Sequence, residues 1–239
     1  MIENGLFLFA AYLAAVLATI AGFGSSTLLI PVAVFFMDLK TAVFIVACFH
    51  LFNNIFKVRL FLTKIDFKLF RLFGIPSIVF AFIGARCITI LPVELLTQIL
   101  AVFLICFTGF SFFNPAVMIP KNTLSAIFGG SLSGFLAGLV GIGGAIRSVF
   151  LLSYHLPKEI YVATAALIAF VIDLTRIPTY LWTGAVQDPG YYSLLPPLII
   201  IAYLGVWTGK RFLGVINQGA FRKIVLVVLF LVGLRLLFT

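Results

Sequence analysis

The chain has 239 residues, of which 63% are hydrophobic and only 10% charged, with a formal net charge of +9. Soluble domains carry about 25% charged residues, so there is too little charge here to wet the surface of a soluble globule. The chain reads as an all-α polytopic membrane protein. Its basic excess falls in short loops between apolar runs, where the positive-inside bias puts it, and does not point to nucleic acid.

A bilayer core about 30 Å thick takes roughly 20 helical residues. The first apolar run is uncharged from residue 4 to 37. As one straight helix it would be about 51 Å long, too long for the core. Near its middle lies GFGSSTLLIP (22–31), whose glycines, hydroxyl residues and proline are poor helix formers. The run starts after Glu3 with no Lys or Arg before it, and reads as retained structure rather than a signal peptide. Plain spans follow at 41–60, 69–90 and 92–113. A second over-long run, 122–156, is broken only by Arg147 and holds GLVGIGGAIR (138–147). Three more plain spans follow, at 159–183, 191–212 and 221–238. The 28 phenylalanines are read as lipid-facing and interhelical packing. Cys48, Cys87 and Cys106 lie in or at the ends of apolar spans without a CxxC. They read as small buried hydrophobes, with neither a disulfide framework nor a metal site expected.

The two halves of the chain are related. Gly22-Phe23-Gly24 aligns with Gly141-Ile142-Gly143, and the same offset takes Asn54 to Asp173 and Lys57 to Arg176. Further on, Gly84-Ala85-Arg86 aligns with Gly209-Lys210-Arg211. The expected units are residues 1–114 and 115–239, tandem halves of the kind common in secondary transporters. Loop charges then decide between two architectures. If each over-long run crosses the membrane once, the basic residues divide seven to eight. If each is a hairpin turning at its glycine patch, they divide eleven to four, which satisfies the positive-inside rule. The hairpin model makes the chain two inverted repeats, each a discontinuous re-entrant hairpin plus three transmembrane helices, with both termini outside the cytoplasm. The pieces flanking the first patch, about 16 and 12 residues, would be half-helices meeting near the midplane.

Unwound backbone at membrane depth is tolerated only beside protein or a water-filled cavity. A half-helix that begins there presents unpaired N–H groups and partial positive charge, which suit an anion. Ser25, Ser26 and Thr27 would open one such half-helix. Gly143, Gly144 and Ala145 would open the other, with Arg147 adding a full charge. The competing reading is that the glycines serve only close helix packing and that Arg147 snorkels to the interface. His50, Asn54 and Lys57 share one helical face, and Asp173 and Arg176 occupy the equivalent face of the other half. Asp173 and Arg176 could pair with each other, Lys57 and Arg176 could be span-end anchors, and His50 and Asp173 are candidates for proton coupling. Hydrolase, zinc-protease and P-loop signatures are absent, and with two histidines and seven acidic residues no enzyme is expected.

Taken together, Gly22-Phe23-Gly24 with Leu29-Ile30-Pro31, Gly138 to Gly144, Ile65-Asp66, Gly84-Ala85-Arg86, Arg176-Ile177-Pro178-Thr179-Tyr180 with Gly184, and Phe221-Arg222 form an ordered set. In this set the chain resembles the TauE/SafE family, also called the 4-toluene sulfonate uptake permease family, of sulfite and organosulfonate transporters. The resemblance implies an inner-membrane secondary transporter for a sulfur-containing or carboxylate anion. Family members usually carry a fuller G-x-G-G-G in the first patch, where this chain has Ser25 and Ser26. The expected substrate-binding residues are Gly22, Gly24, Ser25, Ser26, Thr27, Gly141, Gly143, Gly144 and Arg147. His50, Asn54, Lys57, Asp173 and Arg176 are expected to line the cavity or couple transport. No cofactor or metal is expected. The expected partners are a small anion and the bilayer, with a second copy of the chain left open. A passive anion channel and a structural subunit of a membrane complex are the rival readings.

Overall fold

The computed structural model describes residues 2–21, 24–61, 64–114, 119–185, 189–212 and 218–238. Every regular element among them is helical. Seven helical stretches of the described residues are long and apolar enough to cross a membrane. The protein is therefore a multi-pass membrane protein, and its many exposed Phe, Leu, Ile and Val side chains, such as Phe9, Val79, Phe128 and Ile200, face where lipid would be.

Each over-long run doubles back on itself. Helix α1 (Ile2–Ala21) ends before Gly24, whose φ is +84°, and α2 (Ser25–Ala33) returns alongside it. The return brings the Phe36 ring 5.8 Å from the Phe7 ring near the start of α1. A turn after α2 leads to Asp38, whose Oδ1 accepts the Thr41 N–H at 3.1 Å and so starts α3 (Leu39–Phe61). Helix α4 (Phe67–Leu69) runs through a π-helical turn, Phe70–Gly74, into α5 (Ile75–Ile90), and α6 (Val93–Phe113) closes the first half. In the second half α7 (Thr123–Val140) breaks at Gly141, whose φ is +75°, and α8 (Gly143–Leu152) returns. The two ends of this hairpin are tied together, with Ile119 N–H donating to Ser153 Oγ at 2.9 Å. Then come α9 (Lys158–Trp182), a 3-10 turn at Pro189–Leu194, α10 (Leu195–Phe212) and α11 (Gln218–Leu237).

The hairpin arms differ from the expected half-helices. Helices α1 and α7 have 20 and 18 residues, enough for a span, whereas α2 and α8 have only 9 and 10. The first arm is longer than 16 residues because the helix continues outward through the exposed Glu3–Leu6, where an acidic first turn is favourable. The second arm is shorter than 12 because the chain turns before Asp38. The cysteine expectation also needs correcting. All three thiols are free, but only Cys48 is buried, and Cys106 is exposed on the outer face of α6.

Small residues set the contacts between the halves. Gly130, Gly134 and Gly138 on α7 lie against the carbonyls of Phe73, Ser77 and Ala81. A Cβ at any of them would stand 2.1–2.3 Å from an oxygen. Gly84 of α5 fits against Phe135 in the same way. The contacts rise in step along both helices, so α5 and α7 run parallel. Helices α1 and α10 also run parallel, with Gly205 on Ala15, Gly209 on Thr19, and Tyr12 donating to Thr208 at 3.1 Å. With no hydrophobic driving force between helices in lipid, such close backbone approach supplies the packing energy. Helices α3 and α9 are the most enclosed, with 72% and 61% of their span residues buried against 33% for α10, so they form the centre. They run antiparallel. An ion pair between Lys64 and Glu159 joins the end of α3 to the start of α9.

Two outcomes test this architecture. In a variant lacking native cysteines, Cys introduced at exposed Glu3 and Asp38 should be labelled from the same side of the membrane, and Cys at exposed His155 from the other. Labelling of positions 3 and 38 from opposite sides would mean that α1 and α2 form one crossing. Gly134→Ala should lower the melting temperature, since overpacking costs about 1–3 kcal/mol. Gly109→Ala, where a Cβ meets nothing within 4 Å, should not.

Candidate functional site

The central helices carry the polar groups. On α3, His50, Asn54 and Lys57 are 3%, 2% and 4% exposed, and on α9, Asp173 and Arg176 are 0% and 1% exposed. None of them is a span-end anchor. Asp173 is the hub. Its Oδ1 receives Arg176 Nε at 2.9 Å and Nη2 at 2.8 Å. Its Oδ2 receives His50 Nδ1 at 2.8 Å and lies 3.4 Å from Asn54 Nδ2. Asn54 and Asp173 therefore meet across the centre. A buried carboxylate needs this much compensation.

The second helix break is closed by protein. The last carbonyls of a helix have no partner within it, and at the end of α7 two of them are capped by α9. Arg176 Nη1 donates to Ala137 O at 2.7 Å, and Tyr180 Oη donates to Gly138 O at 2.6 Å. Gly141 needs its left-handed backbone, and a Cβ there would also stand 2.0 Å from Ile30 Cδ1. Ser133 Oγ donates to Gly143 O at 2.8 Å where α8 begins. Asp173, Arg176 and Gly141 thus hold the break together.

The first break is different. Its N-cap, Gly24, makes no side-chain cap, and the buried hydroxyls of Ser25 and Thr27 have no hydrogen-bond partner among the described residues. Ser26 is buried beside them. Around Gly24 the two breaks converge. A point one Cβ from its Cα lies 3.3 Å from Arg147 Nη2, 3.4 Å from His50 Nε2 and 3.6 Å from Gly144 Cα. Arg147 is 3% exposed, so it does not snorkel. Gly24, Asn54, Lys57 and Arg147 line one cavity with Ala18, Val162, Ala165 and Ala166. Neither Arg147 nor Lys57 forms a hydrogen bond or ion pair with a described residue. The cavity, about 10 Å³, is room for roughly one water. Gly22 lies outside the described residues.

The site thus brings a guanidinium and an unpartnered imidazole nitrogen to one point at the N-terminus of α2, with Lys57 on the same cavity and two unused hydroxyls in the first turn of α2. Asp173, Arg176 and Gly141 stand behind it. Sequence reasoning missed Tyr180 and the carbonyls it holds. Its position four residues after Arg176, one turn along the same face, was the available signal. It also missed Ala18, which has no chemical signature. Among the described residues no group of three or more His, Cys, Asp or Glu could hold a metal.

A family model described as Sulfite exporter TauE/SafE matches residues 7–236. The chain belongs to this family. The family is one of membrane transporters for sulfite and related sulfur anions, not of enzymes, and its model spans both helix breaks and all the residues above. Among individually curated proteins, none matches the chain.

Asp173→Asn should destabilise the protein by about 3–5 kcal/mol, since it leaves the buried Arg176 without a counter-charge. Leu174→Ala on the lipid face should change little. Unfolding of the purified variants in detergent measures both, and an unperturbed Asp173→Asn would remove Asp173 as the hub.

Proposed function

We propose that the chain is a secondary transporter that moves a small sulfur-containing oxyanion across the cytoplasmic (inner) membrane by alternating access. One observation carries this reading. Arg147 and Lys57 are buried with no described carboxylate in ion-pair contact, at a cavity where α2 presents its N-terminus. Burying a cation costs several kcal/mol unless it is compensated. An anion about 4 Å from one such charge gains about 4 kcal/mol at an effective dielectric of 20. The sequence therefore retains a cost that only a transient anionic guest offsets. Ser25, Ser26 and Thr27 orient that guest, and Gly24, Gly143 and Gly144 let backbone N–H groups approach it.

The halves 1–114 and 115–239 act as inverted repeats in this proposal. The packing pairs support it. Helix α1 lies on α10 and its counterpart α7 lies on α5, while α3 meets its own counterpart α9 and α6 meets α11. The hairpins return to the side they left, so each half has an odd number of crossings. With Lys57, Arg147 and Arg176 buried, ten basic residues remain on the side of Lys64 and three on the side of Lys40. By the positive-inside rule the first side is cytoplasmic and both termini are outside. A cavity of about 10 Å³ is too small for an oxyanion, so the conformation described is closed and loading requires the two hairpins to part.

Sulfite, thiosulfate or a small sulfonate should raise the melting temperature of the purified protein in a concentration-dependent way. Ligand at 100 times its Kd adds about 2.7 kcal/mol. Arg147→Gln and Lys57→Gln should abolish the shift and anion uptake in proteoliposomes without lowering the melting temperature of the free protein, because each removes an uncompensated charge. An Arg147→Gln variant that keeps the shift would remove the site from this position.

A further inference from the structure

His50 has one ring nitrogen in use and one without a partner. Asp173 is ionised against Arg176 and can only accept, so His50 Nδ1 donates to Asp173 Oδ2 at 2.8 Å. Asn54 Nδ2, 3.1 Å from that same Nδ1, is then a donor facing a donor, and its hydrogen goes to Asp173. A neutral ring fixed in this tautomer presents a bare lone pair at Nε2. Nε2 is buried, has no hydrogen-bond partner among the described residues, and reaches the same point beside Gly24 as Arg147 Nη2. The charged groups acting on the ring are Asp173, Arg176 and Arg147 from α9 and α8, and Lys57 on α3 shares the cavity. Arg147 Nη2, the other side-chain atom at this point, can only donate. Nε2 is the acceptor.

We infer that His50 makes the site specific for an oxyanion that carries, or arrives with, one hydrogen. This rests on the anion site proposed above. The hydrogen of a bound hydrogen oxyanion lies between an anion oxygen and Nε2. If the anion arrives fully deprotonated, one proton enters from solvent and occupies the same place. The two routes give the same complex, with no other bond made or broken, so anion and proton bind as one unit. An anion of the same shape and charge without that hydrogen leaves Nε2 buried and unsatisfied. Asp173 acts through His50 as a positioning residue, since it fixes the tautomer.

Methanesulfonate and the methylphosphonate monoanion have the same shape and charge and differ by one O–H. The wild-type chain should bind methylphosphonate on the order of 10- to 100-fold more tightly, the range expected for leaving a buried acceptor unmet. Sulfite binding at a pH where free sulfite is the dianion should take up close to one proton, read by calorimetry in buffers of different ionisation enthalpy. Methanesulfonate should take up none. His50→Gln keeps a donor for Asp173 but removes the ring acceptor. It should bring the two affinities together and abolish the proton uptake, and His50→Asn should do the same if the Gln variant does not fold. Equal wild-type affinities, absent proton uptake, or uptake that survives in a folded His50 variant each overturn the inference. If Arg147→Gln abolishes binding while proton uptake survives in His50→Gln, the anion site stands and only the role of His50 falls. If Arg147→Gln leaves binding intact, or none of the three probes binds the wild type, the site itself falls and the inference with it.

Discussion

Backbone freed from a helix inside a membrane has no water to turn to. Both hairpins of this protein break within the packed centre, and most of what is unusual about its sequence follows from that constraint. At the end of α7 the carbonyls of Ala137 and Gly138 are met by a guanidinium and a phenol from α9. The guanidinium must itself be neutralised, which calls for Asp173. The carboxylate has capacity left after Arg176, which draws in His50 and Asn54 from α3. A chain of buried polar groups thus starts from two unpaired carbonyls, and it binds the two central helices to each other.

The two breaks solve the same problem in different ways, and the proposed function rests on that difference. Lys57 occupies the repeat position of Arg176, and Ala18 that of Ala137. Lys57 has no carboxylate beside it, because its half carries Asn54 where the other carries Asp173. A single exchange between the halves, Asp for Asn, therefore decides which break is neutral and locked and which is cationic. Arg147 adds to the imbalance from the opposite half, since its repeat position in α2 is the apolar Leu28, facing a groove with Leu13 and Leu17. On the proposed reading, the locked break supplies rigidity and the charged one supplies binding.

Much of this was legible in the sequence. The length of the uncharged runs and the loop charges together pointed to hairpins, because bilayer thickness and charge bias are strong constraints. The polar stripe at His50, Asn54 and Lys57 was visible, since such residues in an apolar helix face inward. What the sequence could not resolve was partnership. The i, i+3 spacing of Asp173 and Arg176 permits an ion pair, but only the crossing of α3 and α9 shows that His50 joins it and that Lys57 does not. The lengths of the hairpin arms were also out of reach. They depend on Glu3 extending α1 and on Asp38 capping α3, features at the water boundary that hydropathy does not register.

The glycines bear on motion as well as on packing. Along α5–α7 and α1–α10, backbone meets backbone, with carbonyls where side chains would stand. Contacts of that kind have little side-chain slack, so each pair tends to move as a rigid unit. Both pairs join a hairpin of one half to a helix of the other. The contact between α2 and α8, where Gly24 faces Gly144, is slight by comparison and lacks such interdigitated backbone. The molecule is therefore weakest where the anion would sit. In the proposed cycle, repulsion between Arg147 on α8 and Lys57 on α3 favours drawing the second hairpin away from the centre when the site is unloaded, and an anion between them reverses that preference. On this account the buried charges do more than attract a substrate. They make closure conditional on its presence, which is what a carrier needs to avoid closing around nothing.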